Sequence, residues 1–223
     1  MVKMIVSFKR KPGMPVEAFQ EHWRTTHADI IVALPGLRRY VQSRTLPSGY
    51  RKGEPVCDGV AECWFDDTQA MKNLAKTAEY AATIADEFNF IDRPSMRSVI
   101  TDELVLKDAP AAKDAVKRIN FVNRRQEMAV DDFRKYWREV HGPLCVAAAA
   151  MRRYVQNPAR RSIYDSGRTP CYDGVAMIWF DDMQALREAA ATPEFARLQT
   201  DAERFIAGDK SHFVLTRESV ILA

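Results

Sequence analysis

The chain has 223 residues, 47% of them apolar and 28% charged, a balance that supports a buried core and excludes a disordered or low-complexity chain. The net charge is +3 and the basic residues are spread rather than gathered into a stripe, so nucleic acid is not an expected partner. Apolar runs such as Val146 to Met151 fall far short of the about 20 residues that span a bilayer, and no membrane partner is expected.

Residues 3–9 read as a short apolar-rich strand turned by Lys11-Pro12-Gly13. The stretch from Met1 to Phe8 lacks the long apolar core and cleavage site of a signal peptide, which predicts a cytoplasmic protein. Pro15 suits the first turn of a helix, with Glu17 and Glu21 favourable near its positive end. Phe19, Trp23 and His27 follow at i, i+4 spacing and share one face, and Pro35-Gly36 ends the element. Residues 38–44 form a second strand, with Tyr40, Gln42 and Arg44 on one side. Residues 59–65 form a third, in which Ala61, Cys63 and Phe65 oppose Val60, Glu62 and Trp64. Asp66-Asp67 opens a broken helical region running through Met71, Leu74, Tyr80, Ile84, Phe88 and Ile91, and residues 97–106 close the unit as a strand. The order is β-α-β-β-α-β, the split arrangement of a ferredoxin-like unit.

The same order then repeats. Phe19, Trp23 and His27 recur as Phe133, Trp137 and His141, 114 positions on, and Arg38-Arg39-Tyr40-Val41-Gln42 recurs as Arg152-Arg153-Tyr154-Val155-Gln156. After one inserted residue, Asp58-Gly59-Val60-Ala61 recurs as Asp173-Gly174-Val175-Ala176. Trp64-Phe65-Asp66-Asp67 likewise recurs as Trp179-Phe180-Asp181-Asp182, and Asp86, Phe90 and Ile91 as Asp201, Phe205 and Ile206. The predicted class is therefore α+β, with one unit over residues 1–106, an Ala/Pro-rich linker over 107–114 and a second unit over 115–223. Such a unit leaves one sheet face bare. The two copies are expected to pack bare face to bare face as an intramolecular barrel around a cavity. Val60, Glu62, Trp64, Val175, Met177 and Trp179 are expected to face that interior, joined by Tyr40, Gln42, Tyr154 and Gln156. Association of two such chains as a homodimer stays open.

Phe133, Trp137 and His141-Gly142-Pro143-Leu144, then Tyr154-x-Gln156, Asp173-Gly174-Val175-Ala176, Trp179-Phe180, Asp201 and Phe205, together resemble the EthD family of the dimeric α+β barrel superfamily. Copy one departs after its histidine, with Ala28-Asp29 where Gly142-Pro143 stands in copy two. The resemblance implies a ferredoxin-like barrel with a cavity and an association with ether-degradation gene clusters; some fungal polyketide proteins are similar. Wider barrel relatives include lactone isomerases, polyketide cyclases, cofactor-free quinone monooxygenases and haem-handling proteins, so function has to be argued from the site.

His27 and His141 change protonation near neutral pH, and Tyr40 and Tyr154 offer donors on the next strand, a combination suited to acid–base catalysis. The alternative is that each histidine caps its helix C-terminus. Trp64 and Trp179 are candidates for an aromatic wall, with core packing as the alternative; Trp23 and Trp137, on the apolar stripe, read as core. Glu62, if it faces an apolar interior, would have a raised pKa useful to an acid or base, and its counterpart Met177 makes the halves chemically unequal. Gln42, Gln156, Met177 and Asn120 complete the expected substrate contacts. Asp58 and Asp173 read as turn residues, Asp86 and Asp201 as exposed helix or capping positions, and His22 and His212 as surface or structural. The four cysteines, Cys57, Cys63, Cys145 and Cys171, lack ligand spacing and are expected as buried free thiols.

No phosphate loop, dinucleotide fingerprint, nucleophile elbow or metal spacing occurs, so no metal and no cofactor is expected. The leading expectation is a cofactor-independent lyase or isomerase acting on a small aromatic or polyketide-like substrate. The alternatives are a non-catalytic binding protein for a small hydrophobic metabolite, and a haem-binding or oxygenase-type barrel with histidine as axial ligand.

Overall fold

A computed structural model describes all residues, Met1–Ala223, and divides them into two compact units. Unit 1 is Met1–Thr101 with Glu218–Ala223, and unit 2 is Asp102–Arg217. Each carries the β-α-β-β-α-β order expected from the sequence. In unit 1 the elements are β1 (Val2–Arg10), α1 (Val16–Arg24), α2 (Thr26–Val32), β2 (Leu37–Thr45), β3 (Gly59–Phe65), α3 (Thr68–Leu74), α4 (Ala78–Phe90) and β4 (Ile91–Thr101). The following strand, β5 (Leu104–Asp108), belongs to unit 2. It is joined there by β6 (Val116–Val122), α5 (Val130–Tyr136), α6 (Gly142–Ala147), β7 (Arg153–Pro158), α7 (Arg161–Asp165), β8 (Gly174–Phe180), α8 (Met183–Ala190) and α9 (Pro193–Ala202). The last strand, β9 (His212–Leu222), serves unit 2 through residue 217 and unit 1 from residue 218.

The strand order in unit 1 is β4-β1-β3-β2, with the end of β9 beside β2; in unit 2 it is the start of β9, then β6-β8-β7-β5. An unpaired edge strand exposes a row of backbone donors and acceptors. The Glu218–Leu222 segment covers that edge on β2, and β5 covers it on β7. Lys107 and Asp108, read from the sequence as the start of a linker, are in β5 because they pair with Tyr154 and Arg153.

Register decides which side chains share a face, since residues directly opposite one another in an antiparallel pair point the same way. Tyr40 lies opposite Cys63 and Gln42 opposite Ala61; Tyr154 lies opposite Ile178 and Gln156 opposite Ala176. The expectation that these four join Val60, Glu62 and Trp64 on one face is therefore corrected. They stand on the helix-covered face, with Ala61, Cys63 and Phe65. The other face, which holds Val60, Glu62, Trp64, Val175, Met177 and Trp179, is fully buried as well.

The first helical layer is interrupted at the same place in both copies. In unit 1, α1 stops at Thr25 (φ −109°, ψ −88°) and α2 restarts at Thr26; in unit 2 a π-helical turn over Trp137–His141 separates α5 from α6, whose first turn contains Pro143. Such turns bulge a helix outward and often mark functional positions. The second layer is broken where Thr77 and Thr192 accept from Tyr80 N and Phe195 N and so restart α4 and α9. Trp23 and Trp137, buried as expected, press on β3 and β8 so closely that a Cβ on Gly59 would lie 2.5 Å from the Trp23 ring, and Gly174 is equally crowded by Trp137. The Asp-Gly pairs are thus required by packing as much as by the turn.

Candidate functional site

Trp23 and Trp137 each root a hydrogen-bond network with a tyrosine and a glutamine, and a histidine stands four residues further on. In unit 1, Trp23 Nε1 donates to the Tyr40 hydroxyl at 2.9 Å, and Gln42 Nε2 donates to the same oxygen at 3.1 Å and to the Trp23 carbonyl at 2.7 Å. Unit 2 repeats this with Trp137, Tyr154 and Gln156 at 3.1, 3.0 and 2.8 Å. Both glutamines are buried and do not border the main cavity of either unit, so they brace the tyrosine and the helix. With two donors on each phenol oxygen, the hydroxyl proton is left to be donated elsewhere.

The histidines do not cap their helices. His27 Nδ1 lies 2.8 Å from Asp86 Oδ2 on α4, and His141 Nδ1 lies 2.8 Å from Asp201 Oδ2 on α9. Because a carboxylate only accepts, the proton sits on Nδ1 and Nε2 carries the free lone pair. Phe90 and Phe205 pack on the two rings at 4.7 and 5.1 Å. Asp86 and Asp201 were expected as exposed or capping positions. Asp86 is instead buried, and also takes His22 Nε2 at 3.0 Å and Asn89 Nδ2 at 3.2 Å; Asp201, partly buried, takes the Tyr136 hydroxyl at 2.7 Å. The signal that could have found them was their recurrence in both copies four residues before a recurring phenylalanine.

Burial lowers His27 and His141 below the ordinary histidine value, outweighing the pull of the neighbouring carboxylates. Burial also works to raise Asp86, but hydrogen bonds from His27, Asn89 and His22 outweigh it and hold that carboxyl below its usual range. The unit 1 pair is therefore a neutral imidazole on an ionised carboxylate. Burial pushes both tyrosines well above the ordinary phenol value, which keeps them as donors.

Two cavities, each lying within one unit between its sheet and its helices, receive these groups. The unit 1 cavity, about 200 Å³, is bordered by Trp23, His27, Tyr40 and Cys63 together with Met4, Val6 and Ile31. The unit 2 cavity, about 220 Å³, is bordered by Trp137, His141 and Tyr154 together with Arg118, Asn120 and Cys145. In unit 2 a thiol stands beside the base: Cys145 Sγ lies 3.3 Å from His141 Nε2, and Tyr154 borders the same cavity. Ile31 occupies that place in unit 1, and there neither His27 Nε2 nor the Tyr40 proton meets a protein partner.

Of the other residues singled out in the sequence, Asn120 borders the unit 2 cavity and accepts from Arg118 Nε at 2.9 Å. Glu62, Trp64, Met177 and Trp179 lie on the opposite sheet face and border neither cavity. Glu62 is not isolated in an apolar wall, because Lys3 Nζ pairs with it at 2.8 Å. Lys3 and Lys117 stand 4.5 and 4.6 Å from the Trp64 and Trp179 rings, so each ring carries a cation on its face. Asp58 and Asp173 are more than turn residues: both are buried and accept from Tyr50 and Tyr164, each at 2.6 Å. All four cysteines are free, with Cys171 the least buried. No group of three or more His, Cys, Asp or Glu side chains is arranged to hold a metal ion, and no helix is long and apolar enough to cross a membrane.

Comparison with solved structures finds the same fold over the whole chain. An anthrone oxidase-like protein aligns with a TM-score of 0.67 at 10% identity, over 99% of this chain and 92% of its own. A candidate monooxygenase from Lactobacillus acidophilus aligns with a TM-score of 0.59 at 10% identity, over 98% and 94%. An ethyl tert-butyl ether D (EthD) family protein from Bacillus halodurans is 29% identical over 47% of this chain and 99% of its own, with a TM-score of 0.39. No curated protein matches the sequence. The EthD domain model matches twice, over residues 11–94 and 125–209, spans that take in both His–Asp pairs. The chain therefore belongs to the EthD family, as a tandem pair of EthD domains.

Proposed function

We propose that this protein is a cofactor-independent lyase or isomerase for a small aromatic compound, with His27 and His141 as general bases and Tyr40 and Tyr154 as proton donors. The observation that carries the reading is the recurrence, at a cavity in each unit, of an imidazole whose Nδ1–H is held by a carboxylate. The carboxylate fixes the tautomer and stabilises the imidazolium that forms when Nε2 takes a proton. Burial keeps the imidazole neutral until then. The tyrosine, its oxygen already occupied by tryptophan and glutamine, has its proton to give to a developing oxyanion. Abstraction of a proton next to a carbonyl begins isomerisation and elimination alike. With dioxygen as the oxidant, it would also begin an oxidation of the kind that the name of the anthrone oxidase-like structural relative suggests.

A cavity of about 150 Å³ holds benzene. The 200 and 220 Å³ spaces therefore admit one substituted ring and leave the rest of a larger molecule outside.

Replacing His27 and His141 by Ala, singly and together, tests the assignment against any compound the protein turns over. The double variant is expected to lose about 10²–10⁴-fold in kcat with its fold intact. His27→Ala is expected to give the larger single loss, since its Nε2 is unoccupied. Full turnover in the double variant rejects the proposal. A second reading, a non-catalytic binding role, is favoured for unit 2 by the thiol that occupies His141 Nε2; it predicts that a bound compound is recovered unchanged.

A further inference from the structure

Arg118 is the residue for which the chain supplies a cavity and no counter-ion. It sits on β6 opposite Ile178 of β8 and Leu215 of β9, and its side chain enters the space between sheet and helices. Its guanidinium lies 4.2 Å from the Phe213 ring and 5.8 Å from that of Phe195, and Nε is spent on Asn120. No carboxylate of the protein pairs with it, and burial alone acts on its pKa, which it lowers. Arg118 is only partly exposed, so its charge is less well solvated there than on the open surface and a matching anion would offset that loss. The two Nη groups, meanwhile, form a planar fork of donors that matches a carboxylate.

We propose that the unit 2 cavity binds a small ring compound carrying one carboxylate, with Arg118 as the anchor for that anion. The proposal deepens the reading of this cavity as a small-molecule site. The ring would lie among Phe195, Phe213 and the apolar lining, and its far end would approach Cys145, Tyr154 and His141. The counterparts of Arg118, Asn120 and Cys145 in unit 1 are Met4, Val6 and Ile31. Unit 1's cavity is bordered instead by Glu87, which pairs with Arg93 at 2.7 Å. An anion is therefore expected in unit 2 alone, one per chain.

Titration of the full chain with benzoate and with its neutral analogue benzamide, followed by calorimetry, tests this. Benzoate is expected to bind once per chain and benzamide at least about tenfold more weakly, the scale of a charge-assisted hydrogen-bond pair. Arg118→Met, which installs the residue found in unit 1, should weaken benzoate about ten- to a hundredfold and leave benzamide unchanged, and Arg118→Lys should fall between. Equal affinity for the two ligands, unchanged benzoate binding in Arg118→Met, or no benzoate binding at millimolar concentration would each overturn the proposal. Should Arg118→Met fail to fold, the benzoate-to-benzamide ratio of the natural chain and the Arg118→Lys result decide it. Binding is read without turnover, so inactivity of the histidine variants leaves this outcome untouched.

Discussion

The two units keep the same skeleton and differ in what lines the space it encloses. Tryptophan, tyrosine, glutamine, histidine and aspartate occupy equivalent places, joined by equivalent hydrogen bonds. Around them, Met4, Val6, Ile31 and Glu87 border one cavity where Arg118, Asn120, Cys145 and Ala202 border the other. The retained set is the part that cannot change piecemeal. Tyr40 takes two donors and Asp86 three, so loss of one member leaves a buried polar group without its partner. Side chains that only face the cavity are not bound in this way and have diverged. Duplication here has conserved a way of holding an imidazole and varied what that imidazole meets.

The comparison breaks most visibly if the skeleton is not equally deep in both units. Trp23→Ala and Trp137→Ala each remove a buried ring together with the donor to a buried tyrosine. Each should cost about 3–5 kcal/mol, and hydrogen exchange should show the loss of protection centred on the unit that carries the change. A cost several-fold smaller for one of them would mean that one copy has relaxed its core as well as its cavity.

A smaller effect follows from protonation. The folded chain holds His27 and His141 below their unfolded value of about 6.5. Between the folded value and pH 6.5 the unfolded chain therefore binds more protons, and stability falls as pH falls through that window. Each tenfold weakening of proton binding on folding is worth about 1.4 kcal/mol. Asp86 acts in a separate window: its lowered value contributes stability above about pH 4, which is lost on further acidification. Thermal unfolding from pH 7.5 to 5 should show the histidine decline, and replacing both histidines by Gln should flatten it. An unchanged slope would place the acid sensitivity elsewhere.

The repeat made the fold legible, since both copies carry the same apolar spacing and the same turn residues. The His and Tyr pair was legible too, because two residues of those types recur at fixed separation. Which cavity they serve was not. Alternation along a strand tells which residues share its faces, but only pairing register tells that Tyr40 stands with Cys63 and Ala61 rather than with Glu62 and Trp64. Asp86 and Asp201 were obscured by distance, reaching their histidines across 59 and 60 positions from another helix. A lone aspartate among polar helix residues looks solvated. Arg118 was harder still: between Lys117 and Ile119 it resembles an ordinary strand cation, and its cavity exists only after Phe195 and Phe213 arrive from α9 and β9.

The smallest expected effect is the most discriminating, because it concerns the one atom that separates the two histidines. Cys145 is buried, and burial pushes its thiol up to about 12, so near neutrality it holds its proton and offers it to His141 Nε2. His27 has isoleucine at that place, and its Nε2 meets no protein partner. A reagent that acylates neutral imidazole at Nε2, such as diethyl pyrocarbonate, should modify His27 faster than His141, as read by peptide mass spectrometry. Cys145→Ile should then raise the His141 rate about two- to tenfold, the worth of about 0.5–1.4 kcal/mol for the bond removed. The stability cost should stay near 1 kcal/mol, because the thiol is a weak donor and unit 1 already accommodates isoleucine there. If His141 stays slow in Cys145→Ile, the difference between the units comes from access through the cavity mouth. If it matches His27, a single thiol accounts for the difference in imidazole reactivity between the two units.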